Sequence, residues 1–277
     1  MLESILILIA PFVLTLALAG AIRAFGGPER GARAANVAVM LSFIVSWGFV
    51  LKPGWFPADD FGRIGHIALG GALVGLALDL LAPKRLWAAA AAAVVILVST
   101  WASVTGALAL AGPLTLGVAA TVGILSAVAF LIVARLDAAR ATGVTSLVLI
   151  AMAGLGLALI ARVTDAPALA STGLMLALAV AGFAVLQSLI TLPVGDGVIL
   201  GAGTTLLAIA WALAQAQPET RPALVMIPLI LFAEGTALRV PLPKARISAL
   251  LYPLVLAGIA ALPLALAVLV AYVLAQA

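Results

Sequence analysis

The sequence predicts an all-α integral membrane protein: a polytopic helical bundle of about ten spans, forming a single transmembrane domain over residues 1–277 with no separate soluble domain. Three observations predict it. Of 277 residues, 66% are apolar and 9% are charged, against about half and about a quarter in an ordinary soluble domain. Between Arg85 and Arg135 there is no Asp, Glu, Lys or Arg, and lipid is the solvent that tolerates such a surface. Ten spans of about 20 residues need about 200 residues, which nearly exhausts the chain and leaves short connectors. The runs are long and lack the alternation of a membrane barrel strand, so each is expected to be a helix.

Taken in order, the apolar runs place spans near 3–22, 35–51, 64–82, 86–106, 113–134, 143–162, 168–190, 197–215, 222–238 and 248–275. The first carries Glu3 and no Lys or Arg ahead of a run long enough to span, which reads as an uncleaved helix rather than a secretory leader. Lys52 to Arg63 forms a long polar connection. Its prolines stiffen it, Trp55 and Phe56 suit the headgroup layer, and Asp59 or Asp60 can satisfy free amides at the start of the third span. Gly106, Gly112 and Pro113 divide the charge-free stretch into two spans. The ninth run is short and holds Pro228 and Glu234, so nine spans is the alternative count.

Basic residues divide unequally between alternate connections. Odd-numbered loops hold Arg23, Arg30, Arg33, Lys84, Arg85, Arg135, Arg140, Arg239, Lys244 and Arg246, ten of the 14 basic residues, and even-numbered loops hold Lys52, Arg63, Arg162 and Arg221. The positive-inside rule therefore puts the odd loops in the cytoplasm and both chain ends on the far side of a plasma (inner) membrane. The net charge of +4 lies mostly in these loops, so it is a topology signal, and the bilayer rather than nucleic acid is the expected partner. Five spans on each side of residue 141 permit halves 1–141 and 142–277, the arrangement of an inverted repeat, although no repeat is visible in the letters.

The chain has no cysteine and one histidine, His66. That excludes disulfides, thiolate metal sites, thiol nucleophiles and paired-histidine haem ligation. No cofactor is expected. Catalytic signatures are missing as well: there is no Gly-x-Ser-x-Gly elbow, His-Glu-x-x-His or P-loop, and Asp137-Ala138-Ala139-Arg140 reads as a charged turn. The chain is not expected to be an enzyme.

Three intramembrane polar positions are candidates for a site. Glu234 lies inside an apolar run, where an ionised carboxylate costs at least a few kcal/mol unless protonated, paired or wet. It is either a proton or cation site or a side chain reaching toward Arg239. Asp79 stands five residues before Lys84, where an interfacial ion pair with Lys84 or Arg85 is expected. Gln187 sits deep in the seventh span, suited to an interhelical hydrogen bond or a polar path. Asp59, Asp60 and His66 form a weaker external candidate for a metal or substrate, without a recognised ligand spacing.

Two pairs of small residues, Gly71 with Gly75 and Gly197 with Gly201, have the spacing that lets helix backbones approach closely. Pro228, Pro253 and Pro263 free backbone carbonyls within apolar runs, and broken helices occur at transport sites. Two functions fit: a transporter or permease for an unknown small molecule, and a non-catalytic subunit or assembly factor bound to other membrane subunits. Ten spans and a buried acid favour the first, and the scarcity of polar lining favours the second.

Overall fold

The computed structural model describes residues 2–53, 60–106, 115–140, 143–190, 192–240 and 248–276, and the side chains of all of these but 2–8, 60 and 248–250. Among the described residues every regular element is helical. The long helices are α1 (Leu2–Gly26), α2 (Val37–Leu51), α3 (Asp60–Leu81), α4 (Arg85–Thr105) and α5 (Leu116–Ala139) in the first half of the chain. They are followed by α6 (Thr145–Val163), α7 (Pro167–Leu189), α8 (Asp196–Ala216), the composite α9 (Pro218–Ala237) and α10 (Ser248–Ala275). The protein is thus an all-α polytopic bundle, and its ten helical segments match the ten apolar runs to within a few residues.

Among the described residues nine of the segments are long and apolar enough to cross a membrane. The one that falls short is α2, not the ninth run. With 15 residues it rises about 22 Å, less than the roughly 30 Å of a hydrocarbon core. It stops because Lys52 takes a left-handed conformation, φ 46°, directly before Pro53, which cannot continue a helix. The charge-free stretch does divide in two. Its first helix ends at Gly106, whose φ of 73° is one that glycine adopts without steric cost.

Composite α9 is broken as its proline content requires. A 3₁₀ turn (Pro218–Thr220), a helical turn (Arg221–Leu224), a second 3₁₀ stretch (Ile227–Phe232) and a last helical turn (Ala233–Ala237) follow one another. Pro228 lies in the second 3₁₀ stretch, so the missing amide is absorbed by a change of helix type. Pro253 and Pro263 are accommodated within continuous α10.

Helix α8 is the most buried of the spans and sits at the centre. Its fit against α3 follows from the two glycine pairs. A Cβ on Gly71 would lie 2.9 Å from Cα of Gly201, and one on Gly75 would lie 2.6 Å from Cα of Gly197. The pairing of an early residue of one helix with a late residue of the other makes the contact antiparallel. Such close approach supplies the dispersion contacts that drive helix association where lipid removes the hydrophobic driving force. A second close crossing joins α6 and α7, where a Cβ on Gly173 would lie 2.8 Å from the Gly154 carbonyl oxygen.

Several buried hydroxyls are satisfied within this frame, whereas those of Ser46, Ser146 and Tyr252 have no partner among the described residues. Thr15 of α1 and Ser42 of α2 hydrogen-bond each other, as do Thr100 of α4 and Ser126 of α5 at 2.7 Å. Thr204 and Thr205 donate back to carbonyls of their own helix, which removes the need for water.

Candidate functional site

Asp79, Arg140 and Asp196 converge with Asn36 at one end of α8. A helix begins with amide groups that have no intrahelical partner and a partial positive charge. Here they are met by Asp79, from the last turn of α3: its carboxylate oxygens accept the backbone N–H groups of Asp196 at 2.8 Å and Gly197 at 3.0 Å. Asn36, just before α2, accepts the N–H of Gly195 at 2.9 Å and donates its own amide to the Arg33 carbonyl, also at 2.9 Å. Gly195 has to be glycine for this fit, because an added Cβ would collide with the Asp79 carboxylate.

Arg140, which follows α5, completes the cluster. Its Nη2 donates to the Asp196 carboxylate at 2.7 Å and also to Asp137 one turn back on its own helix. About a third of the Arg140 side chain and a quarter of that of Asp196 are exposed, so salt screens the pair less than a surface ion pair. Burial alone would lower the affinity of the Arg140 guanidinium for its proton. The charges of Asp196 and Asp137 outweigh that effect and raise it, so the group stays cationic.

The Arg140–Asp196 pair stands between two cavities. One, of about 340 Å³, includes Arg33, Asn36, Asp79 and Gly195 in its lining. The other, of about 360 Å³, runs between α4, α5 and α8 from Arg85 and Asp137 to Ile96 and Phe130. Arg140 and Asp196 line both.

This geometry bears directly on the expected alternation of the loops. Arg33 and Asn36 precede α2, Asp79 ends α3, Arg140 follows α5 and Gly195 precedes α8, so four odd-numbered connections meet at one end. Arg135 agrees, its guanidinium carbon lying 4.7 Å from the ring centre of Phe232 near the odd-loop end of α9. At the opposite end, the Arg63 guanidinium lies against Gly106.

Several sequence expectations are corrected. Asp79 does not pair with Lys84 or Arg85; its oxygens are turned to the α8 amides, a stronger attraction because those donors are fixed, partly buried and aligned with a helix dipole. Gln187 makes no interhelical bond among the described residues. Its Nε2 donates to the Leu192 carbonyl at 2.9 Å in the turn that follows its own helix, and its Oε1 is buried without a partner among the described residues. Glu234 is half-buried in the last turn of α9, and it does not line either cavity at the Arg140–Asp196 pair. The three intramembrane candidates are therefore not brought into one cavity.

Of the external candidates, His66 uses Nδ1 in a 3.2 Å hydrogen bond with the Gly62 carbonyl one turn back. Asp60 opens α3, its side chain lies outside the described residues, and so does Asp59 altogether. The residues that sequence reasoning passed over are Asn36, Arg140 and Asp196. A signal existed for the last: an acid flanked by glycines at the first turn of a span is a helix-start pattern.

Comparison of the sequence with protein-family models and with curated proteins gives no match.

Proposed function

We propose that this multi-pass membrane protein is a transporter or permease for a small molecule, without enzymatic activity, and that the Arg140–Asp196 pair is its gate. One observation carries the reading. In a bundle whose buried side chains are mostly apolar or hydroxyl-bearing, two cavities share the Arg140–Asp196 ion pair, contributed by the end of α5 and the start of α8, in their linings. Arg140 has a second acid, Asp137, on its own helix. When α5 and α8 separate, the guanidinium keeps a charged partner and is not left as an uncompensated buried charge, which keeps the cost of opening low. The cluster belongs to the end that carries the basic loops, so the gate faces the cytoplasm and both chain ends lie on the far side of a plasma (inner) membrane.

The test begins without a known substrate. Proteoliposomes loaded with the small-molecule fraction of a cell extract are incubated, and the external medium is read by mass spectrometry. At least one species is expected to escape faster with the protein than with empty vesicles, and Asp196→Asn with Arg140→Gln is expected to change its rate. A subunit or assembly factor is the second reading, favoured by the way Asp79, Asn36 and Arg140 spend hydrogen bonds within the bundle. It wins if nothing moves and gentle detergent extraction yields the chain bound to another membrane protein.

A further inference from the structure

At the other end of the bundle, away from the gate, lies a third cavity of about 360 Å³ between α5, α6, α8 and the broken helix α9. On α8 it extends from Leu206 to Ala214, and on α5 from Ile124 to Ile132, about 12 Å along each axis at 1.5 Å per residue. Its lining is apolar but for Arg221 and the indole of Trp211. Water entering such a space finds too few partners to be held there, yet leaving it empty forfeits the dispersion contacts of its walls.

The cavity is not sealed from the membrane. Ile124 and Val225 both line it and are 66% and 75% exposed, so it opens sideways, on the face of the bundle turned to lipid. At the end where α8 stops, Arg221 is exposed and spends its Nε on the Ala214 carbonyl at 3.3 Å, which leaves the two terminal nitrogens of the fork for a ligand. Glu219 is the nearest acid in sequence and forms no ion pair with Arg221 among the described residues. An apolar slot with a lateral opening and a cation at its headgroup end has the polarity of one lipid molecule.

We propose that this cavity binds one acyl chain of an anionic phospholipid from the even-loop leaflet, with its phosphate held by Arg221. The site does not depend on the Arg140–Asp196 gate, and a non-transporting subunit would bind the same lipid.

Native mass spectrometry of the whole delipidated protein in detergent reads the binding. Phosphatidylglycerol, phosphatidylcholine of the same chains and free hexadecanoate are added separately. One phosphatidylglycerol per protein is expected at concentrations where phosphatidylcholine is not retained. Arg221→Gln is expected to weaken its binding about tenfold, the worth of one charge-assisted hydrogen bond. Ala210→Phe, which fills the slot, is expected to abolish it while Arg221 remains. Equal retention of the two phospholipids, unchanged binding in Arg221→Gln, or stronger binding of the free acid than of phosphatidylglycerol would each overturn the assignment. Ala210→Val, a smaller change at the same wall, serves if the phenylalanine variant does not fold, and undiminished binding there also counts against the site.

Discussion

Asp79 illustrates how one carboxylate in a membrane protein is best placed. At the end of a span it could have met lysine and arginine in the interface, where ion pairs contribute about 0–1 kcal/mol. Instead it accepts two fixed amides of a neighbouring helix, satisfying donors that have no other partner and joining α3 to α8. Asp79→Ala is expected to destabilise the protein by about 1–2 kcal/mol, the usual value of a lost helix cap, read as a lower midpoint in thermal unfolding in detergent. Gly195→Ala is expected to cost as much or more through collision of its methyl group with that carboxylate. The two changes should be non-additive: in the Asp79→Ala background the collision is gone, and the added cost of Gly195→Ala should shrink, which a double-mutant cycle measures.

For the helices, backbone proximity does most of the work. Gly75 leaves no room for a Cβ between α3 and α8, where it would meet the Asp196 and Gly197 backbone, whereas Gly70, one residue before Gly71, has nothing within 4 Å of where its Cβ would stand. Gly75→Ala is therefore expected to lower stability by about 1–3 kcal/mol, as overpacking does. Gly70→Ala on the same helix should be neutral or slightly stabilising through helix propensity. Equal unfolding midpoints for the two variants would show that the α3–α8 contact is not the close one described. Both glycine pairs were visible in the sequence as contact motifs. That they contact each other was not, because small-residue spacing marks the surface that approaches and carries no record of its partner.

Across the whole molecule, the apolar runs told the number and order of the helices because lipid leaves no other structure for them. Their ends were less legible. Helix α5 runs on to Ala139, past the run placed at 113–134, and Pro228 lies within a 3₁₀ stretch whereas Pro253 and Pro263 lie inside a continuous helix. The charged cluster was hidden for another reason: Arg140 and Asp196 are 56 residues apart, and each alone looks like an ordinary loop charge. Only the alternation of loops, which brings 33–36, 79, 140 and 195–197 to one end, makes them neighbours. The sidedness of that end is open to a direct check in this cysteine-free chain. Exposed Lys52 and Lys84 lie on opposite ends, so in intact cells an impermeant thiol reagent should label Lys52→Cys and spare Lys84→Cys until the membrane is opened. The reverse pattern would invert the orientation.

The proposed gate can be tested before any substrate is known. Ala92 lines the cavity between α4, α5 and α8, two turns in from the odd-loop end, and a single cysteine placed there reports the access of a water-soluble thiol reagent from the odd-loop side. With Asp196 intact, labelling of Ala92→Cys should be slow. With Asp196→Asn, which removes the charge that holds Arg140 across to α8, it should become several-fold faster, while the rate at an exposed control position, Lys84→Cys, stays the same. An unchanged rate at Ala92→Cys, in a protein that remains folded by its thermal midpoint, would contradict the assignment of the Arg140–Asp196 pair as a gate.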